Sequence, residues 1–105
     1  MPIDQSPKAS LESLEGIDKL IHEPARLHIM TGLYVLEGAD MVFLRKQTGL
    51  TWGNLSVHVS RLAEAGYVKT QKEFVENKPH TVVSLTDSGR RAFEEYREKM
   101  KNLLA

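Results

Sequence analysis

Side chains that could bind a nucleic acid lie in the stretch between Thr48 and Tyr67, the most informative part of this chain. In its middle, Asn54, Val57 and Arg61 recur at i, i+3 and i+7, so they share one face of a helix, and Ser56 and Ser60 flank that face. Short polar side chains and one guanidinium have the chemistry to read base edges in a DNA groove. From this stretch alone, a solvated surface helix is an equally good interpretation.

The surrounding residues favour two helices joined by a tight turn. Leu55, Val59 and Leu62 lie at i, i+4 and i+7 and form the apolar stripe that would bury the second helix. Gly49 stands where the preceding helix would end in a left-handed residue, and Thr51 supplies a capping hydroxyl for the next helix. Helices joined by about 3–4 residues that include glycine form a helix-turn-helix, whose second helix can enter a DNA groove.

A β-hairpin is predicted directly after the second helix. The segments Tyr67–Phe74 and His80–Leu85 are rich in β-branched and aromatic residues, and Asn77 and Pro79 between them favour a turn. A hairpin in this position is a wing, and cations on a wing can meet DNA phosphates. For any single lysine here, ordinary surface charge is the better explanation; the three that stand on the hairpin or at its tip are Lys69, Lys72 and Lys78.

Taken in order, the stretches DMVFL, LTWGNLSVHVSRLAEAGYV, the hairpin and SLTDSGRRAF resemble a winged-helix DNA-binding transcriptional regulator. The resemblance is broad to MarR-like and ArsR-like regulators. It is greatest to a small one-domain family with GNLS-x-H in its recognition helix and LT-x-x-G-R at the start of its last helix. The resemblance covers roughly Pro24 to Phe93, and its specificity comes from the combined order of the motifs. The matching positions are Gly53, Asn54, Leu55, Ser56, His58, Leu62, Gly66, Leu85, Thr86, Gly89 and Arg90.

The resemblance implies an α+β fold, a winged helix-turn-helix with additional N- and C-terminal helices, that acts as a homodimer on double-stranded DNA. The chain departs from the family at Trp52, where a small acidic or polar residue is usual, and in the wing, where Lys78 and His80 replace arginines and Glu76 adds a negative charge. Lysine does not reproduce the planar fork of arginine. The predicted DNA contacts are Thr51, Trp52, Asn54, Ser56, Val57, Ser60, Arg61, Lys69, Lys72, Lys78 and His80.

The whole chain, residues 1–105, is predicted to form a single winged-helix domain. Within it we expect an N-terminal helix over 6–21, the helix-turn-helix and wing over 24–86, and a C-terminal dimerisation helix over 87–104. The middle part would begin with a helix from Pro24 through Glu37, followed by a helix over Met41–Thr48 that is capped by Asp40.

Apolar stripes at both ends of the chain indicate a dimer. Four residues of the C-terminal segment follow the spacing i, i+3, i+7 and i+10, and the N-terminal segment carries a second stripe. A small domain has limited core to receive both stripes, so pairing across a two-fold axis is favoured over packing of each stripe on its own domain. The predicted dimer interface comprises Leu11, Leu14, Ile17, Phe93, Tyr96, Met100 and Leu103.

Composition and charge fit a small globular protein with a local basic region. The 105 residues are 41% hydrophobic and 27% charged and include no cysteine, which excludes disulfides and thiolate metal sites. Residues 1–40 hold three basic and seven acidic side chains (−4), residues 41–80 hold six and three (+3), and residues 81–105 hold five and four (+1). The positive segment contains the helix-turn-helix and wing, as electrostatic steering toward DNA requires. We expect a cytoplasmic protein, because no apolar run approaches the roughly 18 residues of a membrane span and the polar start lacks a secretory signal.

Catalysis and metal binding are not expected. The chain has no P-loop and no dinucleotide fingerprint, and Ser56 and His58 are two residues apart, so they point in different directions on a helix. His22 and His28 lie six apart, unlike the i, i+4 pair of a helical zinc site. No catalytic residue, metal ligand or cofactor is therefore predicted, and the existence of a small-molecule effector stays open. The alternative function is a winged helix that binds another protein without sequence-specific DNA binding.

Overall fold

The computed structural model describes residues 16–105 as four α-helices and three β-strands. This succession of three helices, a hairpin and a last helix confirms the predicted α+β class and the winged helix-turn-helix. In chain order the elements are α1 (Pro24–Val35), β1 (Ala39–Asp40), α2 (Met41–Thr48), α3 (Trp52–Glu64), β2 (Val68–Val75), β3 (Lys78–Leu85) and α4 (Asp87–Leu104).

Capping residues set the boundaries of α2 and α3, as the sequence predicts. Asp40 Oδ1 accepts a hydrogen bond of 2.6 Å from the backbone N–H of Val42 at the start of α2. Gly49 ends α2 with a φ of 71°, a left-handed conformation that strains residues with a Cβ. Thr51 Oγ1 accepts a 3.1 Å hydrogen bond from the N–H of Asn54 and so caps α3. The two helices therefore meet at the predicted tight turn.

The helix α1 is shorter than predicted and is followed by a strand that the sequence does not indicate. It ends at Val35 rather than Glu37, because Leu36 already has extended backbone angles and leads toward β1. The two residues of β1 pair antiparallel with β3, with Ala39 opposite Val83. A strand of two residues carries no measurable period, so only its pairing with a distant strand reveals it.

The sheet is antiparallel, with strand order β1-β3-β2. Strands β2 and β3 pair over their whole length, from Val68 opposite Leu85 to Val75 opposite Lys78. The turn between them consists of Glu76 and Asn77, with φ of 53° and 65°. Two residues with positive φ match the twist of hairpin strands. The predicted turn was therefore too long, and Pro79 lies within β3 and not in the turn.

The predicted N-terminal helix over 6–21 is wrong where the structure can test it. Residues 6–15 lie outside the described part, and Gly16 to Glu23 form turns. Asp18 Oδ1 accepts hydrogen bonds from the N–H groups of Leu20 and Ile21, at 2.9 and 3.1 Å. Aspartate competes in this way with the helical pattern of backbone hydrogen bonds. Within residues 16–23, Ile17 and Ile21 are therefore buried from turns and not from a helix.

The core lies between the helices and one face of the sheet. On α3, Leu55, Val59 and Leu62 are buried, which confirms the predicted stripe. The α1 helix adds Met30 and Leu33 to this core. The largest fully buried side chains are Ile21, Ile29, Met30, Leu33, Leu44, Leu55, Leu62 and Val83.

The start of α4 is fastened to the base of the wing. Thr86 caps α4 by accepting a hydrogen bond from the N–H of Gly89, and its hydroxyl donates to the carbonyl of Gly66. The N–H of Thr86 also donates to the carbonyl of Tyr67, at 3.0 Å. A Cβ on Gly89 would lie 1.9 Å from that same carbonyl oxygen, so a glycine is needed for this close approach. The junction holds the last helix against the chain that links α3 to β2.

Candidate nucleic-acid interface

The face of α3 opposite the core is open to solvent. With 100° of rotation per residue, Val57 and Ser60 lie opposite the buried stripe, and Asn54 and Arg61 lie on one side of that line. The side chain of Val57 is 51% exposed. All seven residues predicted as contacts here are exposed, namely Thr51, Trp52, Asn54, Ser56, Val57, Ser60 and Arg61. Asn54, Ser56, Val57, Ser60 and Arg61 lie together on one accessible surface of α3, which we call the α3 face, and Thr51 and Trp52 are exposed at the N-terminal end of the helix.

Trp52 lies at the first turn of α3 and contacts α2 as well as solvent. Its ring is 49% exposed, and the guanidinium carbon of Arg45 lies 5.3 Å from its centroid. A guanidinium at this distance over an indole is held by a cation–π interaction. Arg45 thus adds a cation beside the α3 face. This contact cannot be predicted from sequence periodicity, because Arg45 and Trp52 lie on different helices.

The buried side of α3 is bound to α1 by a polar cluster. The Nη1 of Arg26 donates to the Nδ1 of His58 at 3.1 Å, and the Nε of Arg26 donates to the carbonyl of Leu20 at 2.6 Å. Glu23 Oε1 caps α1 and accepts from the N–H of Arg26, the main reason why the pKa of Glu23 falls below its ordinary value of 4.5. Arg26 is only 8% exposed. His58 therefore holds α3 from behind and does not belong to the exposed surface.

The wing lysines lie on both faces of the hairpin. Directly paired residues share a face and neighbours along a strand alternate, so Lys69 and Lys78 lie on one face and Lys72 lies on the other. All three are exposed, as is β2 from Lys69 through Val75. The wing can therefore present positive charge to both of its sides, an arrangement that a simple count of lysines does not indicate.

His80 was predicted to contact DNA, but it contacts another residue of the same chain. Its Nδ1 lies 2.6 Å from Asp40 Oδ2, so it joins β3 to the residue that caps α2. The pKa of Asp40 is lowered from its ordinary 3.8, first by the hydrogen bond from the N–H of Val42 and then by His80. We therefore leave His80 out of the DNA contacts proposed below.

Three of the residues predicted at a dimer interface belong to the core of one chain. Ile17, Phe93 and Tyr96 are 6%, 4% and 5% exposed without any partner. Tyr96 also makes a 2.7 Å hydrogen bond with His22. These three side chains therefore do not need a second chain for their burial, contrary to the prediction, since α1, α4 and the N-terminal turns already cover them. Of the other four, Leu11 and Leu14 lie outside the described residues, and Met100 and Leu103 are partly exposed.

An open groove of about 960 Å³ runs between α1 and α4 beside these residues. Its apolar lining includes Leu27, Met100 and two strongly exposed side chains, Val35 and Leu104, each 76% exposed. Polar contacts across the groove join the two helices: the hydroxyl of Tyr34 donates to Glu94 at 2.8 Å, and the guanidinium groups of Arg90 and Arg97 lie 5.1 and 5.4 Å from the Tyr34 ring. The groove is thus an apolar surface on the side of the domain formed by α1 and α4.

Within residues 16–105, no group of three or more His, Asp or Glu side chains is placed to hold a metal ion. No helix in this part of the chain combines the length and apolar character of a membrane span.

Comparison with known proteins gives consistent matches. A family model described as a winged helix DNA-binding domain matches residues 25–104. The transcriptional regulator homologue protein from Pyrococcus horikoshii OT3 has a similar structure, with a TM-score of 0.82 and 30% identity over 91% of this chain and 94% of that chain. An uncharacterized protein of Methanocaldococcus jannaschii is 35% identical over 78 residues, 74% of this chain and 85% of that protein. The PcaV transcriptional regulator from Streptomyces coelicolor, in complex with its natural ligand, superposes over 98% of this chain and 79% of its own with a TM-score of 0.71, but at 17% identity it shows a shared fold alone.

Proposed function

Because this chain belongs to the winged-helix DNA-binding domain family, we propose that it is a homodimeric transcriptional regulator that recognises a specific double-stranded DNA sequence. In this proposal α3 enters the major groove and the wing follows the adjacent backbone. The protein works by binding and carries out no catalysis.

The observation that carries the proposal is the α3 face, which is open to solvent next to a wing with cations on both sides. The 13 residues of α3 make a rod of roughly 20 Å, and a major groove about 12 Å wide admits an α-helix. The hydrogen bond from Arg26 to His58 and the apolar stripe hold α3 from behind, so the exposed side chains sit on a rigid support. A rigid support favours precise contacts with base edges.

Each side chain of the α3 face suits a particular contact. Asn54 can pair with the N6 and N7 of adenine, and the apolar Val57 can pack against a thymine methyl group. Arg61 can make a two-pronged contact with guanine or hold a phosphate. Ser56 and Ser60 can hydrogen-bond either to bases or to the backbone. We propose that sequence preference comes from these five residues.

Positive charge around the α3 face would supply the affinity that does not depend on sequence. Arg45 beside Trp52, together with the wing residues Lys69, Lys72 and Lys78, can neutralise phosphates on either side of the helix. Each neutralised phosphate contributes about −0.9 to the slope of log K against log salt. We therefore expect DNA affinity to fall steeply with salt.

Titration of a random duplex at several salt concentrations tests this proposal. Lys69→Ala and Lys78→Ala should weaken binding to all duplexes alike and reduce the salt slope by about 0.9 each. Lys19→Ala, which removes an exposed lysine from the N-terminal turns, is the matched control and should change neither quantity. Absence of binding to any duplex at low salt, or binding that ignores salt, would refute a DNA-binding role and favour the protein-interaction alternative.

Selection of bound sequences from a random pool tests the role of the α3 face. Arg61→Ala should lose discrimination at one base pair, by about 1–3 kcal/mol, if its guanidinium reads guanine. If Arg61 holds a phosphate, the same variant should lose affinity and keep its preferred sequence. Unchanged affinity and preference in alanine variants of all five residues, with the fold intact, would place recognition elsewhere.

The groove between α1 and α4 supports the proposed homodimer. Met100, Leu104 and Val35 leave apolar surface exposed there, and burying such a side chain fully contributes about 1.5–3 kcal/mol. A two-fold dimer would place its α3 helices about 34 Å apart, one DNA turn, and would prefer a palindromic site. Sedimentation at micromolar concentration distinguishes the two states, because one chain has a mass of 11.9 kDa.

A further inference from the structure

Trp52 and Arg45 form a stacked pair beside the α3 face. Trp52 is the first residue of α3 and is 49% exposed, and Arg45 lies on α2 and is also exposed. The guanidinium carbon of Arg45 lies 5.3 Å from the centroid of the indole ring. Among residues 16–105, no carboxylate forms an ion pair with Arg45. The position of this guanidinium therefore depends on its contact with the indole.

We propose that Trp52 is a positioning residue, which holds the guanidinium of Arg45 in place to bind one phosphate of the DNA backbone. This inference rests on the proposed DNA-binding function and adds to it a residue that acts through Arg45. In this arrangement the indole contacts no base edge, although it lies on the helix whose other exposed side chains meet the bases.

The place of α2 in the helix-turn-helix puts Arg45 beside the DNA backbone. When the second helix of this motif lies in the major groove, the first helix crosses the phosphate backbone. In this chain α2 is the first helix, α3 is the second, and residues 49–51 join them. Arg45 lies in the last turn of α2 and thus close to this junction. Its guanidinium can therefore meet a phosphate at the edge of the groove that α3 enters.

A stacked guanidinium keeps the groups with which it binds a phosphate. Its five N–H donors lie in the plane of the group, whereas the indole covers only one face of that plane. A mobile side chain that must be ordered on binding lowers affinity by about 2- to 10-fold. The contact with Trp52 orders Arg45 before DNA is bound, so this loss is avoided. The neighbouring Lys46 is also exposed, and no aromatic ring of residues 16–105 stacks with it.

A double-mutant cycle in DNA titrations tests the positioning role. Arg45→Ala should weaken binding about 8-fold at about 0.1 M salt and reduce the salt slope by about 0.9, the effect of one lost phosphate contact. Trp52→Ala should weaken binding about 2- to 10-fold when Arg45 is present and should have no effect when Arg45 is alanine. The matched control is Lys46→Ala, in which Trp52→Ala should cause the same loss as in the unmodified protein.

Two conservative variants separate a cation–π contact from apolar packing. Trp52→Phe should retain most of the affinity because it keeps an aromatic face for the guanidinium. Trp52→Leu keeps an apolar side chain without a π system, so it should lose as much affinity as Trp52→Ala. Circular dichroism verifies that each variant is folded. Bound sequences selected from a random pool should be the same for Trp52→Ala and the unmodified protein, since a phosphate contact carries no base information.

Fluorescence tests the stacked pair without DNA, because Trp52 is the only tryptophan of the chain. Arg45→Ala should make the indole more accessible to quenching by acrylamide, and Lys46→Ala should leave the quenching unchanged. Equal quenching of Arg45→Ala and the unmodified protein would overturn the proposal, because the two side chains would not be stacked in solution.

The DNA measurements give three further outcomes against the positioning role that leave the proposed function intact. An unchanged affinity of Trp52→Ala would show that Arg45 needs no support. An equal loss from Trp52→Ala with and without Arg45, or a changed preferred sequence, would show that the indole contacts DNA directly. Failure of the unmodified protein to bind any duplex at low salt would overturn both proposals.

Discussion

Gly89→Ala tests how the last helix is joined to the wing. An ideal Cβ at this position would lie 1.9 Å from the carbonyl oxygen of Tyr67, and 2.7 and 2.9 Å from its carbonyl carbon and Cα. All three are backbone atoms, so no flexible side chain can move aside. Real Cβ atoms essentially never lie closer than 3.0 Å to such an atom. The helix α4 and the backbone of Tyr67 must therefore move apart by about 1.1 Å (3.0 − 1.9).

The magnitude follows from the hydrogen bonds that cross this junction. A shift of 1.1 Å would lengthen the bond from the N–H of Thr86 to the carbonyl of Tyr67 from 3.0 Å to about 4.1 Å, beyond hydrogen-bond range. With the bond from the Thr86 hydroxyl to Gly66, the loss is about 1–3 kcal/mol. Overpacking adds about 1–3 kcal/mol, and the better helix propensity of alanine returns about 1 kcal/mol. The net loss is about 1–5 kcal/mol in the free energy of unfolding.

Thermal unfolding followed by circular dichroism at fixed protein concentration measures this loss. For a domain of this size, 1 kcal/mol changes Tm by about 4–8 °C, so a loss near 3 kcal/mol corresponds to roughly 12–24 °C. The matched control is Gly32→Ala in α1, where an added Cβ meets nothing within 4 Å. This control should raise stability by about 0.5–1 kcal/mol. A Tm of Gly89→Ala at or above that of the unmodified protein would refute the close approach.

Three further predictions concern pH and assembly. The pKa of Asp40 is lowered, so the stability that the charged Asp40 contributes is complete above about pH 3.8 and is lost as pH falls through the lower folded pKa. In urea unfolding, Asp40→Asn should therefore reduce the loss of stability at acidic pH. Asp40→Ala should in addition lower the free energy of unfolding by about 1 kcal/mol at neutral pH, because it removes the cap of α2. The pKa of Tyr67 is raised to about 12, first by its hydrogen bond to Asp18, so stability should fall above pH 10. Tyr67→Phe should reduce that fall, and the part due to Tyr96, whose pKa is also raised by burial, should remain. Met100→Asp should yield folded monomers with weak operator binding, and a mass of twice 11.9 kDa in sedimentation would contradict this.

Local sequence chemistry determined the boundaries and faces of the central elements. Asp40, Gly49 and Thr51 set the ends of α2 and α3 through contacts with residues at most four positions away. The stripe at Leu55, Val59 and Leu62 identified the buried side of α3, and thereby its open side. Such features are readable from sequence because capping and helical periodicity are short-range effects. The winged helix-turn-helix can therefore be predicted from the order of its residues.

Only the tertiary structure decided which of these residues are free to meet a partner. Phe93 has a spacing that fits a dimer seam equally well, and it is the packing of α1 and α4 that places it in the core. His80 pairs with Asp40 forty positions away, and Arg45 meets Trp52 across the turn. The strand register likewise decided that Phe74 shares a face with Pro79 at the tip of the wing. Periodicity identifies a residue as apolar or charged, but its partner depends on how distant elements pack, because chain folding brings together side chains that no local pattern relates.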